Sequence, residues 1–145
     1  MIDRLELAEK LLKRPRRVLL VDDDDLLRES LAMGFQDSQK VEMTGAPHGE
    51  EAIRRISDGE EFDCIMLDLN LGSGHMDGVQ VFEHIKNMKR DLPVAFFTGW
   101  PEDERLLRAQ RSGLWFSIVP KSVDLDELEN MICSLVKRNH VDAGG

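Results

Sequence analysis

The sequence has no tyrosine, only two cysteines and few aromatic residues of any kind. Cys64 and Cys133 both sit within apolar patterns. Two such residues build no disulfide framework and match no metal-ligand spacing, so they read as buried free thiols. No apolar run exceeds a handful of residues, which excludes a helical membrane span. The start, MIDRLELAEKLLKRPRR, has acidic residues where a secretory signal has a basic head, and no continuous apolar stretch. Linker-like or low-complexity tracts and internal repeats are missing as well. Basic charge is in deficit: 19 Lys and Arg against 28 Asp and Glu leave a net charge of -9. That balance argues against general nucleic-acid binding, which needs a basic footprint. The cluster Lys13, Arg14, Arg16 and Arg17 could touch a polyanion, but it reads better as the solvated end of a helix, where cations oppose the dipole. The expectation is a cytoplasmic protein with neither membrane nor nucleic acid as partner.

What is present is alternation. Short apolar runs at 18–21, 41–44, 64–67, 94–97 and 115–119 are separated by amphipathic stretches at 25–38, 49–57, 78–89, 102–112 and 123–138. All the runs but VEMT (41–44) are nearly continuous, as in strands buried on both faces of a parallel sheet, and VEMT alternates like a strand nearer an edge. Asp24, Asp58, Asp91 and Ser122 fall where caps and turns are expected, and Pro93 at a strand start. Five strand–helix repeats predict an α/β domain with a parallel sheet and helices on both faces. Residues 1–14 add an amphipathic helix, with Leu5, Ala8, Leu11 and Leu12 at helical spacing. It would cover part of the core or serve as a docking or dimerisation surface. The main domain is expected at 15–139, and residues 140–145 read as a flexible tail.

Ligands of open α/β sheets bind beyond the carboxyl ends of the strands. The first strand is followed by Asp22, Asp23, Asp24 and Asp25, the third by Asp68, the fourth by Thr98 and the fifth, across Pro120, by Lys121. Each residue has an ordinary structural explanation taken singly. Asp24 and Asp25 read as a helix cap and dipole partners, Thr98 as a turn residue and Lys121 as a solvated cation. Their arrival at one edge of four strands is harder to explain that way. Clustered carboxylates repel unless a cation joins them, and acidic oxygens with a backbone carbonyl suit Mg²⁺. A lysine would balance the remaining charge, and a threonine hydroxyl could donate to a phosphoryl oxygen. Asp68 as nucleophile would then form an acyl phosphate.

These residues resemble the receiver domains of two-component response regulators over roughly 16–138. VLLVDDDDLLRESL resembles the first strand, acidic pair and first helix. FDCIMLDLNL resembles the phospho-acceptor strand, MDG the opening of the third helix and PVAFFTG the fourth strand, while Lys121 matches the fifth-strand lysine. The resemblance implies a flavodoxin-like fold of strand order 2-1-3-4-5. It further implies that Asp68 accepts phosphate from a histidine kinase or a histidine phosphotransfer protein. Asp22, Asp23, Asp68 and the Asn70 backbone carbonyl would hold Mg²⁺ (or Mn²⁺), with Thr98 and Lys121 on the phosphoryl group. Slow self-catalysed loss of phosphate would make this a signalling domain rather than an enzyme.

The sequence departs from the family pattern in three places. The loop after Asp68, LNLGSGH, is longer than usual and lacks the common proline; its His75 is either an exposed loop residue or a group lying over the site that tunes phosphate loss. Pro120 precedes Lys121, and Ser122 stands where the family has proline. Ile118 occupies the position of the usual aromatic switch, with Trp115 and Phe116 nearby, and Gly99 replaces a larger residue. Few residues follow the last helix, so output is expected through protein contact, with Trp100 and Pro101 as candidate anchors and a homodimer possible. Two other classes stay open: a degenerate receiver acting as a phosphorylation-independent interaction module, and a phosphoaspartate-forming hydrolase, whose motif spacing Asp68 and Asn70 share but which generally needs a larger chain and a cap.

Overall fold

Branched and aromatic side chains in the short apolar runs place five parallel strands in the computed structural model, which describes residues 3–7 and 14–144, with side chains up to Val136. The strands are β1 (Arg16–Val21), β2 (Val41–Ala46), β3 (Cys64–Leu67), β4 (Val94–Thr98) and β5 (Ser117–Pro120). Their order is β2-β1-β3-β4-β5, as the resemblance implied. Alternate side chains divide between two faces. Leu19, Val21, Ile65, Leu67, Val94 and Phe96 join one buried cluster, and Val18, Leu20, Cys64, Met66, Ala95, Phe97 and Val119 join the other.

Five helices follow the strands: α1 (Asp25–Gly34), α2 (Gly49–Ser57), α3 (Gly78–Met88), α4 (Arg105–Arg111) and α5 (Leu125–Gly144). Ala52 and Ile56 of α2, Val79, Phe82 and Ile85 of α3, and Leu106 and Ala109 of α4 cover the first face. Leu27 and Leu31 of α1, with Leu128, Ile132 and Leu135 of α5, cover the second. Both faces are dry, which accounts for the near-continuous apolar runs of β1, β3 and β4. A separate helical turn spans residues 4–7, where Leu5 and Leu7 are exposed rather than packed on the core. Ala8, Leu11 and Leu12 of the expected N-terminal helix lie outside the described residues.

Several boundaries differ from the sequence expectation. Strand β5 begins at Ser117 rather than 115, because Phe116 leaves the strand line to pack against Phe82 and Phe96. It is also an edge strand with Ile118 exposed, so its apolar run did not report burial on both faces. Helix α1 stops at Gly34, since the N–H of Phe35 and of Gln36 already close the last turn on Leu31 and Met33. Helix α4 starts later, at Arg105, behind a turn at Pro101–Glu102. Helix α5 takes in residues 140–144, which had read as a tail; the stretch holds no helix-breaker before Gly144.

The start of α3 fixes the loop after β3. The Asp77 carboxylate accepts the Gln80 N–H and the Gln80 side chain accepts the Asp77 N–H, a reciprocal capping box. Gly78 then abuts the chain just after β3, its N–H bonding the Leu69 carbonyl at 2.9 Å. A Cβ at Gly78 would lie 2.2 Å from the Asp68 carbonyl oxygen and 2.8 Å from Leu69 Cα. Both obstacles are backbone, so nothing flexible can yield. Gly78→Ala is expected to cost about 2–3 kcal/mol as overpacking, read from the urea unfolding midpoint at unchanged slope.

Candidate functional site

Parallel register carries the strand ends to one level. Val21 pairs with Leu67, Leu67 with Phe96, and Thr98 with Pro120. The residue after each strand therefore emerges at the same edge. The Asp68 N–H bonds the Val21 carbonyl at 2.9 Å and the Asp22 N–H bonds the Ala46 carbonyl at 3.1 Å, so both aspartates are held by the sheet ladder itself. Asp22, Asp68 and Thr98 are buried, and Asp23 is exposed.

Lysine 121 reaches across this edge. Its Nζ lies 2.9 Å from Asp22 Oδ2 and donates to Asp68 Oδ2 at 3.3 Å. The Lys121 N–H bonds the Thr98 carbonyl at 2.9 Å and so continues the β4–β5 ladder past Pro120. That bond holds the lysine at the site without a proline behind it. The peptide bonds of the described residues are all trans.

The acid–base balance follows from burial. Loss of water pushes the Asp68 carboxyl above the ordinary value, and the Asp22 charge adds to the push. Lys121 and a backbone hydrogen bond from Asn70 pull it partly back. Burial lowers the Lys121 ammonium, but the hydrogen-bonding and charge pull of Asp22 and Asp68 outweighs it, and the group ends above the ordinary lysine value. Asp22 Oδ1 accepts the Asp24 N–H at 2.9 Å, while among the described residues its buried Oδ2 has only the Lys121 ammonium beside it.

Asp22, Asp23 and Asp68 each place a carboxylate oxygen within 4.8 Å of the other two. Three hard oxygens, one on a buried carboxylate with unmet acceptor capacity, fit a divalent cation of the Mg²⁺ type. The profile of the family described as "Response regulator receiver domain" matches residues 18–133. The chain belongs to this family. Receivers are phospho-accepting signalling domains of two-component systems, phosphorylated by histidine kinases and binding Mg²⁺ through acidic residues.

This receiver is 31% identical over 116 residues to the regulatory protein AtoC of Escherichia coli strain K12, covering 80% of this chain and 24% of that protein. It is 29% identical to the response regulator MprA of a Mycobacterium strain, over 90% of this chain and 54% of that protein. The chain thus spans between a quarter and about half of these relatives. Among solved structures, the N-terminal domain of a response regulator/sensory box/GGDEF protein from Carboxydothermus hydrogenoformans is similar. Its TM-score is 0.77 at 26% identity, covering 88% of this chain and 99% of that one.

Thr98 and Asn70 need separate statements. The Thr98 hydroxyl accepts the Trp100 N–H at 3.0 Å, an ST-turn that fixes its rotamer at the site edge. Asn70 is exposed at the start of the long loop. Trp100 is 75% exposed, on the surface side of that same turn. Ile118, where the resemblance places an aromatic residue, is exposed too.

Two arginines at the site escaped the sequence reading. Arg28 of α1 donates to the Asp22 carbonyl at 2.6 Å and pairs with Asp25. Arg105 of α4 donates to the Leu69 carbonyl at 3.3 Å while paired with Asp103. Its side-chain hydrogen bond holds the Asp103 carboxyl down at about 2. Nothing in the sequence singled out these residues, because each acts on a carbonyl brought near by tertiary packing.

His75 is an exposed loop residue, and its ring ties the loop to a neighbouring helix. Its Nδ1 lies 2.9 Å from Glu50 Oε2 and its ring stacks on His48 at 4.6 Å, while Glu50 Oε1 accepts the Met76 N–H at 3.1 Å. The long loop is therefore pinned to the start of α2. Gly72 at φ 94° and Gly74 at φ 83° supply left-handed backbone that side-chain-bearing residues rarely adopt. Among the described residues, none of the contacts of His75 reaches Asp68.

Proposed function

We propose that this receiver takes a phosphoryl group onto an Asp68 carboxylate oxygen from a phosphohistidine on a histidine kinase or phosphotransfer protein. The observation that carries the reading is the convergence of Asp22, Asp23, Asp68 and Lys121 at one sheet edge. In the transfer, an Asp68 oxygen forms the bond to phosphorus, the nitrogen–phosphorus bond breaks, and its electron pair leaves on the donor imidazole. Lys121, already on Asp68 Oδ2, moves its charge to the phosphoryl oxygens as they arrive. Thr98, whose oxygen accepts from Trp100, would donate its hydroxyl hydrogen to one of them. The carboxylates of Asp22, Asp23 and Asp68, with the Asn70 carbonyl, would hold Mg²⁺ or Mn²⁺. When bound, such a cation would supply charge neutralisation between the carboxylates and the phosphate.

The domain is then a slowly self-dephosphorylating signalling module in the cytoplasm. Its expected output is a protein contact, with exposed Trp100 as a candidate anchor. The complete acidic set and its lysine weigh against a phosphorylation-independent module, although Ile118 removes the familiar aromatic relay. Incubation with Mg²⁺ and a small-molecule phosphodonor, followed by intact mass measurement, tests the assignment. One phosphoryl adduct is expected on the wild-type chain and none on Asp68→Asn. Absence of the adduct on the wild type would overturn the reading.

A further inference from the structure

A second group of ligating atoms stands apart from the acidic site. Glu50 Oε2 lies 2.9 Å from His75 Nδ1 and 3.1 Å from His48 Nδ1. One ligand atom from each residue falls within 4.8 Å of the other two. All three side chains are at least partly open to water, so an ion could enter.

Helix capping accounts poorly for this arrangement. His48 is the N-cap of α2, a position that favours Asn, Asp, Ser or Thr. Its Nδ1 accepts the Glu51 N–H at 3.3 Å, long for such a bond. An Nδ1 that accepts carries a lone pair there, and that lone pair also faces the Glu50 carboxylate. Two acceptors at that separation repel. A proton on Nδ1 would satisfy Glu50 but remove the cap. A cation satisfies the nitrogen and the carboxylate together, and the Glu51 N–H at the open helix start can turn to water.

We propose that His48, Glu50 and His75 form a binding site for a borderline transition-metal dication, with Zn²⁺ as the representative ion. Two imidazoles and a carboxylate are the ligand set such ions prefer over Mg²⁺. The observed nitrogen–oxygen separations are close to the roughly 3.3 Å edge of a tetrahedron with metal–ligand bonds of about 2.0 Å. The rings now stack at 10°, so their lone pairs run side by side. Terminal ring torsions are broad, and rotation of the loop-borne His75 brings them together.

The site has a consequence for the loop. Bound metal would clamp residues 70–77 to α2, and this loop runs beside the acidic cluster: a Cβ on Gly72 would lie 3.5 Å from the His75 ring and 3.9 Å from Asp23 Oδ2. One ion would stiffen the wall of the other site without sharing a ligand with it.

Titrating the full chain with Zn²⁺ by calorimetry, in excess Mg²⁺ to occupy the carboxylates, tests the site. One equivalent should bind with a dissociation constant on the order of 10 µM, as suits three ligands without a fourth. His75→Ala, Glu50→Gln and His48→Asn should each weaken binding at least about tenfold, the floor for disturbing a metal site. His48→Asn keeps a good N-cap, so its loss reports a ligand and not a frayed helix. Asp68→Asn should bind Zn²⁺ as the wild type does. Amide exchange at 70–77 should slow with Zn²⁺ in the wild type and not in His75→Ala. No saturation below about 1 mM, undiminished binding in the three variants, or loss of binding in Asp68→Asn would each overturn the proposal.

Discussion

Replacing Lys121 with alanine is expected to destabilise the metal-free protein at pH 7 by about 2 kcal/mol and to abolish most phosphoryl uptake. The lysine stands 2.9 Å from Asp22 and 3.3 Å from Asp68, two carboxylates otherwise closed off from water. Removing one partner of a buried charge pair costs about 3–5 kcal/mol. The Lys121 side chain keeps 29% exposure, which screens the interaction and lowers the figure. The pH dependence has a definite sign. Asp68 already titrates above its ordinary value of 3.8, so its contribution to stability is present below that value and is lost as pH rises through the folded one. Without the lysine the folded value climbs further and the loss grows. The deficit of Lys121→Ala should thus be small in acid, widen toward neutrality and shrink when Mg²⁺ is added. At the alkaline end, the raised Lys121 value means its stabilisation is present below the ordinary 10.5 and disappears as pH rises through the folded value. Urea unfolding across pH, with and without Mg²⁺, reads all of these effects.

Asp68→Asn should show the opposite pattern in stability. The substitution removes one of two charges that repel across a buried edge, and the neutral amide can still accept from Lys121. The metal-free variant is expected to be more stable than the wild type at pH 7, by on the order of 1 kcal/mol. Mg²⁺ should raise the wild-type melting temperature by mass action and leave the variant nearly unmoved, since one of the three carboxylates is gone. Phosphoryl uptake should vanish. A variant less stable than the wild type without metal would mean that Lys121 already overcompensates both carboxylates. In that event the acidic edge would need no cation. The two substitutions act on the same contact, so their effects should not add; the double variant should be nearer the wild type than Lys121→Ala alone.

The fold was largely legible because burial imprints itself on periodicity. Runs such as VLLV and CIML are apolar at every position, and only strands covered on both faces require that. VEMT alternates, and β2 is indeed an edge. The same logic misjudged β5, where Phe116 belongs to the core without belonging to the strand and Ile118 is apolar but exposed. Periodicity reports which residues want burial, and an edge strand can carry apolar residues meant for something else. Cap positions were partly legible. Asp24 was, since aspartate favours that place, whereas His48 was not.

By itself the sequence determined the strand–helix alternation and the set of residues that could bear phosphoryl chemistry, because both are written in local residue types. Tertiary structure alone decided the contacts among them. Parallel register brings Asp22, Asp68 and Lys121 to one level, and a ladder bond to Thr98 places the lysine although its following proline is missing. The fold also brings His75 to Glu50 and His48, across 25 and 27 positions of chain, and sets Arg28 and Arg105 on backbone carbonyls. Such contacts depend on distance in space, which no local pattern encodes, and on burial, which turns ordinary carboxylates into a repelling pair that needs a cation.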